Sequence, residues 1–255
     1  MTKLVAILNI TPDSFSDGGK YNSYNQILEA ALKFIADGAD VIDIGAESTR
    51  PDAKPLDAKA EWQRLKPVLS DIIKNSHEHN VKLSLDTRHA QNAKRAIDLG
   101  IDWINDVSGF ADMDMVDAVK NTDVSCVLMH SLTVPADKSV ILPKNRDVVE
   151  FLIDWAADKI VDLGKYGINK DRIIFDPGLG FGKDAEQSWQ IIDNIEKFQI
   201  LDVPLFIGHS RKSFLGGDMG DRDGKTLEVS KKLMLKNVDY LRVHAISVHK
   251  KGRGN

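Results

Sequence analysis

Eight short apolar runs recur along the chain, at 4–10, 41–45, 81–85, 102–104, 124–129, 172–175, 204–207 and 240–243, and each stops at or next to a polar side chain. Short apolar runs alternating with helical stretches read as strands of a parallel sheet covered on both faces. Between several of them the spacing is helical, at 24–36, 58–79, 90–99 and 148–166. Strands alternating with helices imply parallel pairing with helices packed outside. Eight such strands close a ring. The expected architecture is therefore α/β, a single (β/α)8 barrel over 1–255. A doubly wound open sheet is the runner-up, but it more often carries a glycine fingerprint after the first strand, where this chain has Asn9-Ile10-Thr11-Pro12.

With 255 residues, 42% of them hydrophobic, the chain can bury one full core. A net charge of −4 leaves no cationic surplus for nucleic acid or an anionic membrane, so the expected partners are small molecules. One cysteine, Cys126, excludes an internal disulfide and sits in an apolar run, which makes it a core thiol. No stretch of 18 apolar residues and no signal-peptide cleavage pattern is present, and a cytoplasmic protein is expected. Trp62, Trp103, Trp155 and Trp189 are assigned to the core, His77, His79 and His249 to solvent, and His89 and His209 to capping or packing.

In a barrel every strand ends at the same mouth, where the chemistry sits. Asn9, Asp43, Asp86, Asn105, His130, Asp176, Lys212, Arg242 and His244 would ring that mouth. Acceptors from the third, fourth and sixth strands face cations, Arg211, Lys212, Arg242 and His244, from the seventh and eighth. Arg242 and His244 lie two apart, hence on one face, and suit an anion. Asp86, Asp176 and Asn105 suit the N–H edge of a planar heterocycle. Taken singly, each has a blander reading: Asp176 as a helix cap, Lys212 and Arg242 as members of ion pairs. The histidines lack zinc spacing, whereas Mg2+ asks little of a protein, and Asn9 with Asp17 could supply it.

Seven segments now stand out together: NITPDSFSDGG at 9–19, DIGAESTRP at 43–51, SLDT at 84–87, ND at 105–106, FDPG at 175–178, SRKS at 210–213 and RVH at 242–244. In order and position they resemble the dihydropteroate synthases, a family of pterin-binding TIM barrels. The resemblance implies a transferase of folate biosynthesis that joins (7,8-dihydropterin-6-yl)methyl diphosphate to 4-aminobenzoate and releases diphosphate. It also implies a homodimer and a sulfonamide target. Carried over by position, Asp86, Asn105, Met129, Asp176, Phe181 and Lys212 hold the pterin, and Asn9, Thr49, Arg50, Arg242 and His244 take the diphosphate. Phe15, Thr49, Pro51, Lys212 and Ser213 frame the aminobenzoate, Asn9 and Asp17 bind Mg2+, and Asp86, Lys212 and Asp176 are catalytic.

The chain departs from the family pattern in places. Ala245 replaces the usual Asp, and only eleven residues follow His244, so an incomplete last helix is expected. The family's leading segment is missing, as is the usual glycine after His130. A non-catalytic pterin-binding paralogue and a folate-dependent methyltransferase domain are the alternatives, the second having no need of Lys212, Arg242 and His244 around an anion. Residues 11–20 and 46–55 are expected to be mobile until a ligand orders them, so that the pterin diphosphate binds before 4-aminobenzoate.

Overall fold

A computed structural model describes residues 1–10, 23–47, 55–137, 139–218 and 220–250. All eight apolar runs are strands: β1 (Lys3–Asn9), β2 (Val41–Gly45), β3 (Lys82–Asp86), β4 (Trp103–Asp106), β5 (Ser125–Met129), β6 (Ile173–Asp176), β7 (Phe206–Ile207) and β8 (Tyr240–Val243). They pair in parallel in the order β6-β5-β4-β3-β2-β1-β8-β7. The two ends of that order meet through a parallel bridge between Phe175 and Leu205, where the Phe175 N–H donates to the Pro204 carbonyl at 2.9 Å. The sheet is thus a nearly closed barrel. Pro204 has no N–H to add to the ladder, which fits the shortness of β7.

Strand periodicity separates two apolar sets. Val5, Val41, Trp103, Val127, Ile174 and Phe206 cluster with Tyr240 inside the ring. Their neighbours, such as Leu4, Ile42, Ile104, Cys126 and Ile173, belong to the larger core between strands and helices. Trp103 meets Tyr240 edge to face, with centroids 4.9 Å apart, so the barrel floor is filled. Two residues further along the strands, the same inward file carries Asp43, Asn105, Met129, Asp176 and Arg242. A polar layer therefore rests on an apolar one.

The helices are α1 (Ser23–Asp37), α2 (Ala58–Glu78), α3 (Ala90–Asp98), α4 (Met113–Val119), α5 (Val148–Lys165), α6 (Ala185–Asp193), α7 (Arg222–Leu235) and α8 (Ile246–Lys250). Periodicity did not reveal α4, α6 or α7. The first two have 7 and 9 residues, too few turns to establish a pattern, and α7 opens on the glycine-containing Arg-Asp-Gly-Lys. Of the last helix five residues are described, Ile246–Lys250, and residues 251–255, on which its expected incompleteness turns, lie outside the described residues.

His249 corrects one expectation. It is 2% exposed, with Nε2 2.9 Å from Ser230 Oγ, and Ser230 also lies 2.8 Å from Nε2 of fully buried His209. This joint between α7 and α8 was hidden because α8 gives no helical signal of its own. His77 and His79 are exposed, and His89 packs Nε2 against the Leu56 carbonyl at 3.0 Å. Trp103 is buried, while Trp62, Trp155 and Trp189 are partly buried against the outer core. Burial pushes the Cys126 thiol up to about 12, and its desolvated sulfur is inert. No helix among the described residues is long and apolar enough to cross a membrane.

Candidate active site

The centre of the barrel mouth is a shared ion pair. Arg242 on β8 donates from Nε to Asp43 Oδ2 at 2.6 Å and from an Nη atom to Asp86 Oδ2 at 2.8 Å. Asn105 donates from Nδ2 to the same Asp43 oxygen at 3.1 Å. The ion-pair reading therefore holds for Arg242, and the mouth is bridged rather than split into an acidic and a basic half. Asp86 stands at the end of β3 opposite Gly45, where an added Cβ would lie 3.3 Å from that of Asp86. Glycine keeps that wall open. Burial pushes Asp86 up to about 7, Arg242 opposing and Asp43 adding to the rise.

Asp176 does not cap α6. Asp184 does so, in a capping box with Gln187. Asp176 instead accepts the Gly178 N–H at 2.8 Å with Oδ1, while its Oδ2 looks across the barrel toward Gly208, which has no side chain to block it. Burial raises its pKa, and Lys212, the Gly178 N–H, Lys183 and Arg242 oppose that rise. Lys212 donates to the Leu179 carbonyl and lies 4.6 Å from the centroid of Phe181. Its pKa is pushed down to about 8 by burial, with Asp176 acting in the other direction. Asp176, Asn105 and Met129 are 4%, 5% and 7% exposed, so hydrogen bonds made there face little competition from water.

On the far wall Ser210 Oγ lies 2.9 Å from His244 Nδ1, which ties the end of β8 to the Ser-Arg-Lys-Ser loop. Arg211 leaves the ring, correcting its expected place there. It is in the left-handed region at φ 58° and pairs outward with both oxygens of Asp223, at 2.6 and 2.8 Å. Asn9 ends β1 half-buried, and Ser213 is exposed at the rim. Phe15, Asp17, Thr49, Arg50 and Pro51 lie outside the described residues, as do all of 11–20 and residues 48–54.

Sequence reasoning assigned no role to Asp43, although it stood in the predicted ring, and none to Lys183. The Lys183 side chain is buried beneath the turn after β6, its Nζ 2.9 Å from the His130 carbonyl and 2.6 Å from His130 Nδ1. Burial drives the lysine well below its usual value. Burial and that lysine together take His130 down to about 3, so the imidazole is neutral and Nδ1 accepts. The available signal was Gly-Phe-Gly-Lys itself, glycines that let a backbone close over a lysine stem.

Glu47, Glu61 and His89 bring possible metal-ligand atoms within 4.8 Å of one another. Most of their lone pairs are occupied, although Glu61 Oε1 is buried without a hydrogen-bond partner. Glu47 accepts twice from Arg88, each at 2.9 Å, and also from the Leu56 N–H, while Glu61 Oε2 accepts from Thr87 and Asn92. This cluster clamps residue 47 to residue 56 across the intervening loop.

A polar layer of this kind at the carboxyl ends of eight parallel strands marks the chain as a barrel with its candidate site at the mouth. Residues 5–244 match the model of the family described as pterin binding enzyme, and the chain belongs to that family. The dihydropteroate synthase type-3 of Escherichia coli is 35% identical to it over 96% of this chain and 95% of that protein. Two solved structures are similar throughout. The dihydropteroate synthase of Anaplasma phagocytophilum with bound 6-hydroxymethylpterin-monophosphate superposes with a TM-score of 0.90 at 37% identity, covering 98% of this chain and 96% of that one. That of Xanthomonas albilineans with 4-aminobenzoic acid gives 0.90 at 30%, covering 98% and 90%. Against longer, bifunctional folate-synthesis relatives the chain spans between 29% and 58% of their length.

Proposed function

We propose that this protein is a dihydropteroate synthase, condensing (7,8-dihydropterin-6-yl)methyl diphosphate with 4-aminobenzoate and releasing diphosphate. The observation that carries the reading is buried Asp176 and Asn105 with half-buried Lys212 beside the Arg242 bridge. A pterin's 2-amino and N3–H edge asks for a carboxylate, which Asp176 supplies. Its O4 and N5 ask for a donor, which Lys212 supplies, and Met129 and Phe181 close on its faces. As the methylene–oxygen bond breaks, positive charge spreads over the pterin ring, and the Asp86 carboxylate is placed to stabilise it. The arylamine nitrogen then bonds to the methylene carbon and loses a proton.

Asn9, Thr49, Arg50, Arg242 and His244 are assigned to the departing diphosphate, and Phe15, Thr49, Pro51, Lys212 and Ser213 to the aminobenzoate. The amide oxygen of Asn9 is a hard donor of the kind Mg2+ accepts beside phosphate oxygens, and Asp17 would be the second; when bound, the ion offsets diphosphate charge. The same reading includes ordered binding with the pterin diphosphate first, a cytoplasmic homodimer, and competition by sulfonamides at the aminobenzoate site.

Diphosphate release measured with and without 4-aminobenzoate tests the proposal. Release that requires the arylamine supports a synthase; pterin binding without any release points to a non-catalytic paralogue and overturns it. Asp176→Ala is expected to lose pterin affinity by about 1–3 kcal/mol in calorimetry, since it strips the buried N–H partners of their acceptor. Unchanged affinity would sink the assignment.

A further inference from the structure

We infer that Asp43 is a positioning residue for the pterin pocket: from inside the barrel wall it fixes the orientation of the Asn105 amide and divides the Arg242 guanidinium between itself and Asp86. The inference rests on the proposed pterin site. Asp43 lies mid-strand in β2 and is 0% exposed, while Asp86 and Arg242 retain side-chain exposures of 19% and 21%. A fully buried carboxylate persists only when paired. Here Oδ2 accepts both the Arg242 Nε–H at 2.6 Å and the Asn105 Nδ2–H at 3.1 Å.

Two consequences follow for atoms nearer the ligand. An ionised carboxylate can only accept, so it selects the flip of Asn105 that turns Nδ2 toward β2 and leaves Oδ1 on the other side of the amide. The mouth is thereby given one hydrogen-bond pattern rather than two. Arg242, for its part, reaches Asp86 with one Nη atom only, because its Nε edge is held by Asp43. The charged groups acting on Asp86 are Arg242 from β8, Asp43 from β2, Glu61 from α2 and Asp106 from β4, and only the first favours its ionised form. Burial is the largest cause of the rise in Asp86, and Asp43 adds to it with its own charge while holding the Nε edge of Arg242.

The test is Asp43→Asn, which preserves shape and removes the charge. In the ligand-free protein, carbon-13 NMR of the Asp86 carboxyl is expected to show its titration midpoint moving down by about one pH unit, as Arg242 turns to a single partner. Calorimetry with 6-hydroxymethylpterin, which carries no phosphate, is expected to show about tenfold weaker binding, because either flip of Asn105 becomes available. An Asp86 midpoint that stays put or rises, or unchanged affinity for 6-hydroxymethylpterin, overturns the inference. Should the variant not fold, the wild type still decides: proton NMR of the Asn105 side-chain amide is expected to show one slowly exchanging Nδ2–H, held by Asp43, and fast exchange of both Nδ2–H protons would overturn the inference. Absence of diphosphate release by the wild type would refute the proposed reaction while leaving these titrations to stand or fall separately.

Discussion

His209 shows how a single buried side chain sets the acid tolerance of the molecule. It is 0% exposed, sits against Ser230 and the Thr226 carbonyl, and burial pushes it down to about 4. Its folded value lies below the unfolded one, so between about pH 4 and 6.5 the unfolded chain binds more protons, and the stability present above 6.5 is lost as pH falls. Asp86 acts with the opposite sign. Raised to about 7, it stabilises below its unfolded value and loses that contribution as pH rises toward 7. A comparison of variant with wild type cancels the Asp86 contribution. Urea unfolding of His209→Asn is expected to lose about 2 kcal/mol less than wild type between pH 7 and pH 5. Parallel losses would show that His209 is not held neutral.

At the scale of elements, the turn after β6 decides whether the mouth can assemble. Gly178, Gly180 and Gly182 all have positive φ, at 68°, 75° and 71°. At Gly178 conformation and space agree: a Cβ there would overlap the His130 carbonyl oxygen and approach Lys183 Nζ to 3.2 Å. Backbone overlap cannot be relieved by a rotamer change. Gly178→Ala is expected to cost about 3 kcal/mol or more in urea unfolding. Gly164, inside α5, is the contrast, since no atom lies within 4 Å of an added Cβ. Gly164→Ala should stabilise by about 0.5–1 kcal/mol, through helix propensity and reduced freedom of the unfolded chain. Similar effects of the two changes would mean that the turn is not under the constraint described.

For the whole molecule, the separation of floor from mouth is the organising fact. Trp103 is 1% exposed, fills the apolar layer below the polar one, and meets Tyr240 edge to face. Trp103→Ala should therefore cost about 3–5 kcal/mol of stability, from lost transfer energy and the cavity left behind. Pterin affinity, measured well below the variant's melting temperature, is expected to stay within about twofold, because the hydrogen-bonding residues are supported from the strands on either side. A large loss of affinity at intact fold would show that the two layers are coupled.

Much of this was legible in the sequence because strand and strand-end signals are local. A short apolar run that breaks at Asp86 or Asp176 declares a strand, its direction and the residue it delivers to the mouth, without reference to any partner. The two-residue period likewise put Arg242 and His244 on one face. The helices α4, α6 and α7 escaped because they offer too little periodic pattern, and their formation depends on the apolar surface they cover. What only the tertiary structure decided is which charge meets which. Asp43 and Arg242 are 199 residues apart and come together because β2 and β8 flank β1, a consequence of barrel closure that no local pattern carries. The same holds for Lys183 under His130 and for Arg211 turned out to Asp223. Periodicity fixes the face a side chain takes, but the partner of a buried charge is chosen by the three-dimensional competition among desolvation, distance and every other charge within reach.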